Sequence, residues 1–289
     1  MAAAEVLSYG EILDQVRTLR WPARAAVSAV LPGRHLSHRH GTSAEFTEYR
    51  PYRQGDPLQR IDWKLFARTD RAYIRLSNDH AVLPTALVVD ASASMAFPQG
   101  SNDKYARASS LATGLASIAF NSGDPVGVIV ISGAGVRSFP PRSRAGVVPE
   151  IARTLAAAVP AGTVRIADAL TAAARFAQRV ILVSDMLGDL EATLAVARAE
   201  RARAGELYAV HVIGAEEVDP PRLARVEDPE DATLRRTLSD SSHAEYRRRF
   251  GAWRAAVASS WRAAGVTYHE SITGSPLLTD LRRIVAKPR

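Results

Sequence analysis

A series of strand-like segments, four of them apolar runs, constrains this chain more than any other feature. The apolar runs are Ala86-Leu87-Val88-Val89, Val126 to Ile131, Val180-Ile181-Leu182-Val183 and Leu207 to Ile213, and a last strand-like segment is Val266 to His269. Helical patterns separate them, over about residues 104–120, 145–158, 166–177, 189–204 and 241–263. A short run that is apolar at every position is buried on both faces, and strands of that kind separated by helices build a parallel sheet covered on two sides. Right-handed crossovers then give a doubly wound, Rossmann-like α/β layer, whose ligands sit at the carboxyl ends of the strands. Asp90 and Asp185 both follow such runs directly or by one residue. If their strands are near neighbours, the two carboxylates converge.

The first 80 residues have a different texture. Residues 5–30 read as helical, with Ile12, Val16, Leu19 and Trp21 in partial amphipathic spacing. Residues 31–80 are dominated by Gly, Pro, His, Arg and aromatics, and Arg71 to Leu76 alternates as a half-buried strand does. The expected division is therefore residues 1–80, a helix with a small β-rich appendage, and residues 81–289, the α/β domain.

Composition removes several classes. The chain contains no cysteine, which excludes disulfides, thiolate metal sites and cysteine nucleophiles. No apolar run approaches the roughly 18 residues of a membrane-spanning helix, and the first residues lack the basic segment of a secretory leader. A cytoplasmic location without a membrane span is the expectation. The formal net charge of +7 comes almost wholly from arginine, since the lysines are Lys64, Lys104 and Lys287. The charges are dispersed, Arg247-Arg248-Arg249 is the one tight cluster, and no basic stripe is interleaved with aromatics, so a nucleic-acid partner is the weakest of the function classes.

The chemistry concentrates in Asp90-Ala91-Ser92-Ala93-Ser94. One carboxylate and two hydroxyls at alternating positions are hard oxygen donors suited to Mg²⁺, and Mn²⁺ or Ca²⁺ prefer the same donor type. The competing reading is local: Ser and Asp after a strand often cap the next helix or close a turn. Asp185 is placed to add a second carboxylate. A strand-terminal aspartate beside Mg²⁺ can also act as a phosphoryl nucleophile, so a Mg²⁺-dependent phosphate-ester hydrolase is the alternative, although Ser92 stands where such enzymes place a second aspartate. His35, His38 and His40 have spacing compatible with zinc but no evident fourth ligand. No Walker loop, Gly-x-Ser-x-Gly elbow or Gly-x-Gly-x-x-Gly follows a strand.

Asp90-Ala91-Ser92-Ala93-Ser94-Met95 resembles the metal-ion-dependent adhesion site of von Willebrand A-like domains. Upstream, Gly41 to Phe46, Arg50-Pro51-Tyr52-Arg53-Gln54-Gly55-Asp56, Arg60-Ile61-Asp62-Trp63-Lys64 and Ala67-Arg68 resemble the signature of domain-of-unknown-function family 58. The resemblance implies a von Willebrand A-like fold and a non-enzymatic role. It further implies that the chain is an adaptor or assembly factor whose partner is a MoxR-type AAA+ ATPase or that ATPase's substrate. It carries Asp90, Ser92, Ser94 and Asp185 over as metal-site residues. The family's threonine corresponds less closely: it lies six residues ahead of a leucine, whereas Thr163 lies seven ahead of Leu170. Within the signature, Gly41, Gly55 and Asp56 suit tight turns. Trp63 and Tyr52 are expected to bury against the main domain. The charges of Arg50, Arg53, Asp56, Arg60, Asp62, Lys64 and Arg68 fit either an ion-pair network that holds the subdomain or an exposed anion-binding surface.

Overall fold

The computed structural model describes residues 8–23, 32–40, 46–53, 56, 58, 61–98, 100–101, 103–203, 205–221, 225–227, 235–237 and 240–286, with residues 32–40, 46–48, 75–81, 225–227, 235–237 and 240–241 in backbone only. In chain order the elements are α1 (Tyr9–Val16), β1 (Pro32–His40), β2 (Phe46–Pro51), α2 (Trp63–Thr69), β3 (Tyr73–Ala81) and β4 (Thr85–Asp90). Next come a 3-10 turn (Ala93–Ala96), α3 (Asp103–Asn121), β5 (Val126–Ser132), β6 (Gly135–Arg142), α4 (Val147–Ala156), α5 (Ile166–Ala174) and β7 (Arg179–Ser184). The last elements are α6 (Leu190–Ala202), β8 (Glu206–Ile213), α7 (Ala215–Val218), β9 (Arg225–Glu227), β10 (Arg235–Thr237), α8 (Asp240–Ala263), β11 (Thr267–Ile272) and α9 (Leu277–Val285).

Two compact units result, one formed by residues up to Trp21 and from Pro84 onward, the other by residues 22–83. The smaller unit holds an antiparallel sheet in the order β1-β3-β2, with Ile61 and Ile74 buried together and Tyr52 packed on them. The N-terminal helix does not belong to it, which corrects the expected grouping. Ile12, Val16 and Trp21 are buried in the core of the larger unit. The Trp21 backbone N–H donates to Ser122 Oγ at 2.8 Å, and its indole Nε1 donates to Tyr208 at 3.2 Å.

The larger unit is built on a six-stranded sheet in the order β11-β8-β7-β4-β5-β6. Strands β4, β5, β7, β8 and β11 are parallel, as the alternation of strands and helices predicts; β6 pairs antiparallel with β5, so the sheet is mixed and not wholly parallel. The alternation of side chains along a strand decides which core each enters. Leu87 and Val89 join the cluster with α1, α3, α4 and α9, while Ala86 and Val88 join the cluster with α5, α6 and α8. Full burial of a Val or Leu contributes about 1.5–3 kcal/mol, so these doubly covered strands carry much of the stability.

From β4 the chain proceeds to β5 and β6 on one side, then returns to place β7, β8 and β11 on the other. The strand order thus reverses between β4 and β7. The carboxyl ends at such a switch point diverge into a crevice, the usual ligand position in an open α/β sheet.

A candidate metal centre at the strand switch point

Asp90 is the last residue of β4, and Val89 pairs with Val183 of β7, so Asp90 and Ser184 end neighbouring strands at one level. Both are buried, as are Ser92, Ser94 and Asp185. Asp90 Oδ1 accepts from the Ser92 backbone N–H at 2.8 Å, which turns the chain away from the sheet. Asp90 Oδ2 accepts from Ser184 Oγ at 2.7 Å. The Ser92 and Ser94 hydroxyl oxygens lie 3.1 Å apart. The loop therefore gathers one carboxylate and two hydroxyls into one buried place. Of the two local roles, the turn is observed at Asp90, whereas the Ser92 side chain does not cap the 3-10 turn that follows.

The 160–163 loop is stitched onto this site. Ala93 N–H donates to the Gly162 carbonyl at 2.9 Å, and Ala161 N–H donates to the Ala91 carbonyl at 3.0 Å. Gly133, in the turn after β5, makes the close approach possible: a Cβ there would stand 2.7 Å from both the Ala161 oxygen and Gly162 Cα. Gly162 has φ +60°, a conformation that favours glycine. Thr163 consequently follows a residue bonded to the Asp90 loop, but its own side chain is exposed.

Asp185 has a partner that the sequence pattern does not announce. Lys104, in the first turn of α3, is fully buried, and its Nζ donates to Asp185 Oδ2 at 2.7 Å and to Glu217 Oε1 at 2.8 Å. Glu217 Oε2 in turn accepts from Gly214 N–H at 2.6 Å at the start of α7. The other Asp185 oxygen accepts from Leu187 N–H at 3.2 Å. Sequence reasoning misses Lys104 and Glu217. The signal available is a lysine inside an otherwise small and apolar helix face, in a chain where arginine carries nearly all positive charge.

The electrostatics follow from this arrangement. Burial, and next the charge of Asp185, push the Asp90 carboxyl up to about 6, against the opposing hydrogen bonds from Ser184 and Ser92. Burial works to lower the Lys104 ammonium, but Asp185 and Glu217 outweigh it and raise it above the ordinary lysine value. Among the described residues at this site, one cation thus faces three carboxylates. Asp90, bonded to neutral donors, is the carboxylate whose charge burial opposes and which has no direct cation among them. His211, opposite Ser184 on β8, is held down to about 4, chiefly by burial, and its Nδ1 lies 2.6 Å from the Tyr268 hydroxyl. It is a core residue, as its mid-strand position predicts.

A carboxylate in want of a cation, beside two hydroxyl oxygens, fits a hard divalent ion by donor chemistry. Among the described residues no three His, Asp or Glu side chains cluster to hold a metal by themselves, so such an ion would depend on the serines. The side chains of His35, His38 and His40 lie outside the described residues.

Some signature residues of the smaller unit make local bonds. Arg50 clasps Asp56 through bonds of 2.9 and 3.1 Å, while Asp56 also accepts from Arg53 N–H at 2.8 Å and closes that turn. Asp62 caps α2, accepting from the Lys64 and Leu65 N–H groups, and takes a 2.8 Å bond from the Tyr49 hydroxyl. Trp63 occupies the first turn of α2 and meets Phe66 of the same helix edge-on, with ring centroids 5.9 Å apart. Tyr52 packs on Ile61 and Ile74 within its own unit. Arg68 is exposed in the last turn of α2. Gly41, Gly55, Arg60 and the Phe46 side chain lie outside the described residues.

The family described as "Protein of unknown function DUF58" matches residues 48–259. The uncharacterized protein Rv1480 of Mycobacterium tuberculosis (strain ATCC 25618 / H37Rv) is 30% identical over 283 residues, covering 95% of this chain and 89% of that protein. The uncharacterized protein Mb1516 of Mycobacterium bovis matches equally. Among solved structures, the conserved hypothetical protein BatB from Bacteroides thetaiotaomicron is 17% identical, with a TM-score of 0.45, over 70% of this chain and 96% of that one. The SpRpn10 VWA domain is 12% identical, with a TM-score of 0.40, over 69% of this chain and 94% of that one. Proximal thread matrix protein 1 from the mussel byssus, with a zinc occupied MIDAS motif, is 14% identical, with a TM-score of 0.41, over 71% and 47% respectively.

Proposed function

Taking as premise that this chain belongs to the DUF58 family, we propose that it is a non-enzymatic protein-interaction module whose grip on its partner depends on a divalent metal. Asp90, Ser92 and Ser94 would hold Mg²⁺, or Mn²⁺ or Ca²⁺, at the carboxyl end of β4. The observation that carries the reading is the buried Asp90 carboxylate beside two serine hydroxyls 3.1 Å apart, at the point where the strand order reverses. Three protein oxygens do not fill an octahedral shell, and the ion would supply a Lewis-acidic position for water or for a carboxylate of the partner. Thr163 is a candidate further ligand, from a loop bonded to the site but with an exposed side chain.

Membership of the family whose signature residues 41–68 resemble supports a MoxR-type AAA+ ATPase, or its substrate, as partner, and the cytoplasm as its location belongs to the same proposal. Among the described residues no helix is long and apolar enough to cross a membrane, which is compatible with that location. The phosphate-ester hydrolase reading gains nothing from the site, since the group two residues beyond Asp90 is the Ser92 hydroxyl and Asp185 is tied to Lys104.

The test is an affinity pull-down of the AAA+ ATPase by the full chain. Capture that requires Mg²⁺ or Mn²⁺, is lost with chelator and is lost in Asp90→Ala supports the reading. Capture indifferent to both chelator and Asp90→Ala sinks it.

A further inference from the structure

We propose that Lys104 is a built-in counter-ion that takes Asp185 out of the metal's coordination and thereby keeps the site's affinity for a divalent cation low. This rests on the metal reading above and adds to it the residue that sets how tightly the ion is held.

The two carboxylates at the switch point are satisfied in different ways. Asp90 accepts only from neutral groups, the Ser92 N–H at 2.8 Å and the Ser184 hydroxyl at 2.7 Å. A neutral dipole leaves the negative charge in place for an incoming cation. Asp185 gives Oδ2 to a full positive charge, the Lys104 ammonium at 2.7 Å, and Oδ1 to Leu187 N–H at 3.2 Å. The Lys104 and Asp185 side chains are only 1% and 3% exposed, so water does little to screen the pair.

Lys104 is also prevented from swinging away. Its backbone N–H donates to the Phe97 carbonyl at 3.1 Å, and its ammonium lies 5.9 Å from the Phe97 ring centre. Its second carboxylate, Glu217, is anchored by Gly214 N–H, and the Tyr246 hydroxyl of α8 donates to the Glu217 carbonyl at 2.9 Å. The ammonium is thus locked beside Asp185 from three elements, α3, α7 and α8. A divalent ion at Asp90 finds one oxygen of the second carboxylate already committed to a fixed ammonium. Removing Lys104 frees that oxygen and takes a positive charge out of the site.

The experiment is Mn²⁺ titration of the full-length protein, following the free-ion electron paramagnetic resonance signal, for wild type, Lys104→Met, Asp185→Asn and Asp90→Ala. Circular dichroism checks that each is folded. Lys104→Met is expected to bind Mn²⁺ about tenfold or more tightly than wild type, the size typical of changes to groups that tune a ligand. Asp185→Asn is expected to stay within about threefold of wild type, because its Oδ2 is already committed to the lysine and does not reach the ion. The proposal is overturned if folded Lys104→Met binds no more tightly than wild type, or if Asp185→Asn loses about tenfold or more. Should Lys104→Met not fold, Asp185→Asn decides alone. Wild type that binds nothing, beside Lys104→Met that binds, refutes the metal reading for the native chain and upholds the role of the lysine. If neither binds, both fall. Wild type that binds but matches Lys104→Met leaves the metal reading standing without this inference.

Discussion

Replacing Asp90 by Asn should stabilise the metal-free protein at neutral pH. The Asp90 carboxyl is raised from its ordinary value of 3.8 to about 6. A raised folded-state value means that the charged form is disfavoured by folding. The associated stability is fully present below pH 3.8 and is lost as pH rises through 6. Each pH unit between the folded and unfolded values is worth about 1.4 kcal/mol, so the charge costs the fold about 3 kcal/mol at pH 7. Asn removes that cost but cannot accept from both Ser92 N–H and Ser184 Oγ, and one lost hydrogen bond returns about 1 kcal/mol. The net gain is about 2 kcal/mol, or roughly 4–8 °C in melting temperature for a domain of this size. Thermal unfolding in chelator at pH 7 reads it directly, and the gain should vanish near pH 4, where wild-type Asp90 is protonated. Added Mg²⁺ should then stabilise wild type but not Asp90→Asn. An Asn variant that melts below wild type at pH 7 in chelator would refute the reasoning, because it would mean that the Asp90 charge is already balanced within the fold.

His211, held down to about 4 by burial, contributes stability that is present above its unfolded value of 6.5 and lost as pH falls toward 4, about 3 kcal/mol over that window; His211→Gln should flatten this segment of a urea-unfolding pH series, in which Asp90 contributes with the opposite sign. Arg179 is fully buried between Asp124 at 3.1 Å and Glu206 at 2.9 Å, with Trp21 stacked 4.5 Å from its guanidinium. Arg179→Met takes the shared cation from two buried carboxylates and should cost about 3–5 kcal/mol, while neutralising both carboxylates in the same chain should recover most of the loss in denaturant unfolding. Gly133→Ala places a methyl group against the backbone of residues 161–162 and should cost about 1–3 kcal/mol; under the metal reading it also weakens Mn²⁺ binding, measured by the same titration, because it pushes the loop off Ala91 and Ala93.

Much of the fold is legible in the chain, and the exceptions have physical causes. The four apolar runs fall within β4, β5, β7 and β8, because a strand covered on both faces must exclude water along its whole length, whereas the mixed segment from Val266 leads into β11, an edge strand that is only partly buried. Strand β6 carries no such run: its sequence, GVRSFPPR, lies at the sheet's edge, is largely exposed and includes Pro140 and Pro141, which an edge strand tolerates. Helix α9 is short and does leave a signal, since Leu277, Leu281, Ile284 and Val285 recur at helical spacing after Pro276.

Asp90, Ser92 and Ser94 stand out in the chain alone, because a strand-ending aspartate followed by alternating hydroxyls is a local arrangement and local chain geometry fixes it. The partners of those residues do not. Which strands are neighbours is set by how whole helix-covered faces pack, a sum over contacts far apart in the chain. That packing sets β7 beside β4, brings Ser184 onto Asp90, and carries Lys104 to Asp185 and Glu217 across 81 and 113 residues of sequence separation. Sequence alone thus determined the strands and the ligand-bearing loop; the tertiary structure decided which charges meet there, since electrostatic balance in a buried site depends on distance in space and burial, and neither is written in local pattern.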